Sequence, residues 1–232
     1  MAGTAEKRKF TVEGVGDLFV GIPTADDIRG ADWEYSRVYS KALMEGLATS
    51  GEMVEILKKR GIVGETHDRK VEDVRDKIGQ KIVEMELTSD RDARRKLALE
   101  VSSLREELFQ LNQKVNGPMG NTCEQIAEDA RVEYLTANLI QDGSGKKMWD
   151  NFDSYKLEQN RALAFQSRFE VMLFLQGLDP DFLDKTPERI VLRELAEQDK
   201  AKLKVEDVED SVESTPAAEE KPKPARKKKA KA

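Results

Sequence analysis

The side chains able to do chemistry are few and far apart. His67 and Cys123 are the only histidine and cysteine. His67 sits in a run of charges with no second histidine or cysteine to share a metal, so it reads as a surface residue. Cys123 shares a helical face with Ile126, Ala127 and Ala130 and reads as a small buried apolar residue. A single cysteine also excludes an intrachain disulfide or a thiol-rich metal site. Asp179, Asp181 and Asp184 have a spacing that suits a hard cation, but Pro180 and Phe182-Leu183 better suit a turn leading into a helix. Gly143-Ser144-Gly145-Lys146-Lys147 matches a phosphate loop only in composition. It lacks both the four-residue gap before the Gly-Lys pair and a preceding strand. Gly14, Gly16 and Gly21 miss the dinucleotide-binding spacing. No acid/base pair, activated nucleophile or metal cluster emerges, so the reading is non-enzymatic: no catalytic residue, no cofactor, no metal and no small-molecule substrate. The chemistry left to the chain is burial of surface.

Composition sets the scale of that burial. Charged residues make up 36%, apolar residues 38% and aromatics 6% of the chain, which describes helices around a thin core. The longest apolar run, Val171 to Leu175, is five residues, against about twenty for a membrane span. No secretory segment follows Glu6 to Lys9. The expectation is a soluble protein of the cytoplasm with no membrane partner.

The most informative stretch runs from Asp68 to Asn116, without proline and with one glycine, Gly79. Val71, Val74, Ile78, Ile82 and Met85 form one apolar seam. Leu97, Val101, Leu104, Leu108, Leu111 and Val115 form a second that alternates four and three as a heptad does. A continuous helix here would be roughly 75 Å long at about 1.5 Å per residue. The seams are out of phase, and the polar run Thr88 to Lys96 separates them. Ser89 and Asp92 resemble a fresh helix start. One kinked rod is slightly favoured over two antiparallel helices folded at 88–90, which leaves the seams for another helix or another subunit.

Around this centre the chain divides into five parts. Residues 1–30 suit an extended arm with a short strand pair. Residues 31–64 read as a helical hairpin. Its first helix starts at Asp32 with Trp33 stapling the start; its second is capped by Thr49 and Glu52 and stopped by Gly61. The long amphipathic segment fills 65–116, and Asn116-Gly117-Pro118-Met119-Gly120 is the strongest break in the chain. In 117–204 a helix capped at Thr122 is followed by an aromatic helix from Ser154 to Gln176, then by one opened by Thr186-Pro187. Phe165 and Phe169 belong to a helix that is apolar on more than one side, which calls for cover on more than one side. Residues 205–220 carry seven acids and 221–232 seven cations, a disordered tail by composition. The fold class expected is all-α, an elongated helical bundle.

Asp32-Trp33-Glu34-Tyr35, Tyr39, Ala42-Leu43, Gly46, Thr49, Glu52-Met53, Leu57 and Arg60-Gly61 together resemble a segment of helical structural and assembly proteins of tailed bacteriophages, often labelled tail assembly chaperones. The later order of charged long helix, capped helix from Thr122 and aromatic helix is similar, so the likeness spans about residues 30 to 176. It implies a non-enzymatic role in virion assembly, in the host cytoplasm or in the virion. Such a role needs an apolar helical surface to lend. The residues expected to bind a protein partner or a second copy are Leu97, Val101, Leu104, Leu108, Leu111, Phe165 and Phe169. The competing reading is a nucleic-acid accessory protein tethered by Lys221 to Lys231; a self-associating scaffold is the third. The body is a poor match for phosphate, because residues 1–204 carry the whole net charge of −6. Glu52 and Glu55 also occupy the second helix of the hairpin, where a DNA reader would place cations.

Overall fold

The computed structural model describes residues 7–213, with side chains through Lys200. Among them are eight helices and a three-stranded antiparallel sheet. The chain is therefore mostly helical, and the all-α expectation is corrected by the sheet.

Strands β1 (Arg8–Val12) and β2 (Gly16–Val20) form a hairpin in which Arg8 faces Val20 and Val12 faces Gly16. Alternation dictates its two faces. Phe10, Val12, Leu18 and Val20 point inward and are buried, while Lys9, Thr11 and Asp17 meet on the outer face through an ion pair and a 2.7 Å hydrogen bond. Gly14 and Gly16 take the positive φ the turn needs. The N-terminal segment is thus one wall of the main core and not an arm. Strand β3 (Ile140–Gln141) pairs with β2, far away in sequence.

Helix α1 (Ala25–Met44) begins seven residues before the predicted start, because Thr24 and Asp27 form a capping box of their own. Trp33, expected to staple the start, is 75% exposed. The helix lies along α5 (Cys123–Leu139), and α2 (Ser50–Lys59) rests on α4 (Arg91–Met119) and α5, so the pair does not close on itself as the predicted hairpin would. Glu124 ties the starts of α2 and α5 together by accepting the Ser50 backbone N–H and hydroxyl.

The favoured kinked rod is also corrected. Helices α3 (Glu65–Leu87) and α4 (Arg91–Met119) fold back on each other through Thr88, Ser89 and Asp90. Thr88 and Asp90 are extended. The Thr88 hydroxyl donates to the Glu84 carbonyl, and the Asp90 carboxylate, rather than Ser89, accepts the Ala93 N–H. Two out-of-phase stripes are what two facing helices require, each supplying its own. At its far end α4 passes through Gly117 and Pro118 to Met119, beyond the predicted break at Asn116. In the last turn Pro118 sacrifices a single backbone bond.

The aromatic helix is also two elements. Helix α6 (Phe152–Lys156) ends at Leu157, and α7 (Arg161–Leu175) restarts with the Asn160 side chain accepting the Leu163 N–H. Glu158 fills the gap, accepting the Trp149 indole N–H and the Asn160 amide at 3.0 and 2.8 Å. Helix α8 (Pro187–Glu213) packs on α4. Residues 214–232, with the expected binding arm Lys221 to Lys231, lie outside the described residues.

The cores follow from this layout. The sheet, α1, α5, α6 and α7 enclose one around Val20, Leu139, Ile140, Trp149 and Val171. The α3–α4 hairpin holds Val74, Ile78 and Val101, and α8 closes a third cluster with Met85, Ala98, Val191 and Leu195.

Candidate protein-binding surfaces

Five of the seven residues expected to bind a partner are spent inside the chain. Val101 is fully buried against Val74 and Ile78; Leu104, Leu108 and Leu111 pack partly buried on the same cluster; Leu97 packs on Met85 and Ala98. The heptad did report a helical neighbour, and that neighbour is α3. Lys81 bridges the two helices at 3.1 Å to both Glu84 and Glu100.

Phe165 and Phe169 are placed differently. They lie one turn apart on α7 and stay 74% and 38% exposed, while Leu163, Val171 and Leu173 of the same helix are buried. Met172 and Leu175 extend the exposed stripe by two further positions. They line a groove of about 380 Å³ together with Pro23, Ile28, Val132 and Leu135, rimmed by Glu128 and Arg131. At the rim Arg131 pairs with Asp32 at 3.1 Å, and Arg168 joins α7 to Asp129 of α5 at 2.8 Å. The stripe therefore sits on a helix that Arg168 ties to Asp129 and Glu133 of α5. Of the residues expected to bind a partner, Phe165 and Phe169 are the two left exposed; Ile28, in the groove, lies in what reads as an arm.

A second concavity of about 740 Å³ opens where α1 gives way to α2, floored by Leu43, Leu47, Ala48 and Ile56 and edged by Glu52, Glu55 and Lys59. Gly46, in the left-handed region at φ 81°, makes the corner. Met44, two residues before it, is 82% exposed.

The groups considered for chemistry are engaged structurally. His67 Nε2 lies 3.2 Å from the Leu111 carbonyl and so helps close the hairpin. The Cys123 thiol is buried and donates to the Leu47 carbonyl, and burial pushes its pKa up, away from reactive thiolate. Lys185 faces Asp179 and Asp181, and Arg189 faces Asp184. No group of three or more His, Cys, Asp or Glu among the described residues is arranged to hold a metal. Asp142 folds the glycine loop by accepting from Ser144 and Lys146, which holds its carboxyl below the ordinary range. Glu170 is the outlier. It is buried, burial raises its pKa against the lowering influence of Arg8, and its Oε2 finds no hydrogen-bond partner among the described residues. No described helix is long and apolar enough to cross a membrane. No protein-family model matches the chain, and comparison with curated proteins and with solved structures likewise returns no match.

Proposed function

We propose that the chain is a non-enzymatic interaction protein of virion assembly in a tailed bacteriophage, either a tail-assembly chaperone or a structural component. It holds an apolar segment of a partner against α7. One observation carries the reading: Phe165 is 74% exposed on a helix whose other side is anchored in the main core, and Phe169, Met172 and Leu175 continue its stripe. Aromatic anchors on rigid, preorganised elements supply most of the binding energy at protein interfaces. An exposed contiguous apolar stripe marks such a site more often than it marks a free surface. The resemblance of residues 30 to 176 to phage assembly proteins supplies the biological setting, and the partner it implies is a helical or aggregation-prone virion protein.

The test is co-expression of the tagged chain with the products of its neighbouring genes, followed by mass spectrometry of the purified complex. The wild-type chain should retain a virion protein at fixed stoichiometry. A Phe165→Ser/Phe169→Ser variant should lose it while melting at an unchanged temperature, and a chain lacking 221–232 should keep it. Retention of nucleic acid that vanishes with 221–232, with no protein retained, would establish the tethered accessory reading instead.

A further inference from the structure

Helix α8, described with its side chains as far as Lys200, packs on α4 by a narrow stripe. Its inward stripe is Glu188, Val191, Leu195 and Asp199, at i, i+3, i+7 and i+11, while Arg189, Arg193, Glu194, Glu197 and Gln198 face water. Its two aliphatic positions are buried against Met85 and Ala98, with Leu97 and Leu192 at the margin. Each end of that stripe is held by charge. Glu188, 2% exposed, meets the Arg105 guanidinium; Asp199 meets Arg91, with Arg95 at 3.6 Å; and Arg91 also donates to the Leu195 carbonyl. The connection from α7 is loosely packed. Phe182 and Leu183 in it are 37% and 53% exposed, and its aspartates pair locally with Lys185 and Arg189. Helices α3 and α4 are joined by Val74, Ile78 and Val101, with Ile82, Leu104, Leu108 and Leu111 packed against them.

We infer that the face of the α3–α4 hairpin beneath α8 is a helix-binding groove, and that α8 is its built-in competitor. This deepens the reading of the chain as a protein-binding module and rests on it. The occupant is a partner's amphipathic helix that repeats the α8 pattern: a carboxylate for Arg105, two aliphatic residues three and seven positions on, and a second carboxylate for Arg91 and Arg95. Arginines at both ends of a short apolar floor select an acidic helix and fix its direction. The groove stays covered until such a helix displaces α8, so Met85 and Leu97 are not left open to unspecific contact.

The probe is a fluorescein-labelled peptide of residues 186–200, which carries the required pattern, titrated into the full chain by anisotropy. The native chain, its groove occupied, should bind the peptide weakly. A full chain carrying Glu188→Arg and Asp199→Arg, which releases α8, should bind it at least about tenfold tighter, because the competent state is no longer a minor one. Binding should weaken in about 1 M salt, where the Debye length falls to about 3 Å. A peptide bearing the same two reversals should not bind. A released chain that keeps its helical circular dichroism yet binds no tighter than the native one, or binds both peptides alike, overturns the inference. If that variant does not fold, hydrogen exchange on the native chain decides: the amides of 188–200 must open while those of 95–108 stay closed, and equal protection overturns it. These readouts do not involve Phe165 or Phe169, so failure here is distinguishable from failure of the proposed function.

Discussion

Val101→Ala tests where the heptad seam is spent. Val101 is fully buried between Val74 and Ile78, with Leu104 and Leu108 close by on α4. The substitution removes two methyl-sized groups, about 1.6 kcal/mol at roughly 0.8 kcal/mol each. The cavity left in a rigid two-helix seam raises the loss to about 2–3 kcal/mol. For a chain of this size each kcal/mol lowers Tm by about 2–4 °C, so a fall of about 4–12 °C is expected, read by calorimetry together with light scattering. Phe165→Ser is the matched control. At 74% exposure it should change stability by no more than about 0.5 kcal/mol. If Val101→Ala leaves Tm unchanged and instead alters the mass seen by light scattering, the seam belongs to another subunit and the hairpin assignment is wrong.

Three further outcomes follow from the same packing. Gly30→Ala should cost about 1–3 kcal/mol by overpacking and lower the melting temperature, because its Cβ would fall 2.6 Å from Cζ of Tyr134 where α1 crosses α5; an unchanged melt would show that the ring yields freely. Glu170→Gln should raise Tm at neutral pH. Burial lifts the folded-state pKa of Glu170, so the native state binds more protons than the unfolded one and stability falls as pH rises from the ordinary carboxylate range through the lifted value; the variant's advantage should vanish below that ordinary range, and an advantage independent of pH would refute the assignment. Thr49→Ala removes the acceptor of the Glu52 N–H in the α2 capping box and should cost about 1 kcal/mol, seen as faster amide exchange in the first turn of α2.

Local signals in the sequence carried far. The Thr49/Glu52 box, the Thr122 cap, the Thr186-Pro187 start and the stripe Val74, Ile78, Met85 all stand where the residue patterns put them. What escaped depends on distance. Rod and hairpin share one apolar pattern and differ only in the dihedral angles of three residues, Thr88 to Asp90. Gly30, inside α1, is spent on a close approach to Tyr134, a contact 104 positions along the chain. Strand β3 is two residues long and exists because β2 offers it an edge. The break between α6 and α7 contains neither glycine nor proline and is made by Glu158 turning toward Trp149. For exposed apolar surface, type and spacing were enough to pick out Phe165 and Phe169. They were not enough to separate these from Leu97 to Leu111, because a seam records that a helix is covered without recording by what.

The central claim is that the heptad seam closes inside one chain and leaves the α7 stripe as the open surface. Spin labels at exposed Lys70 and Gln113, with Cys123 buried and silent, test it most directly by electron–electron distance measurement. The hairpin brings these positions close, as the 3.2 Å contact of His67 with the Leu111 carbonyl requires, so a distance well under about 30 Å is expected. A continuous helix would separate them by roughly 65 Å at about 1.5 Å per residue, and that result would contradict the account.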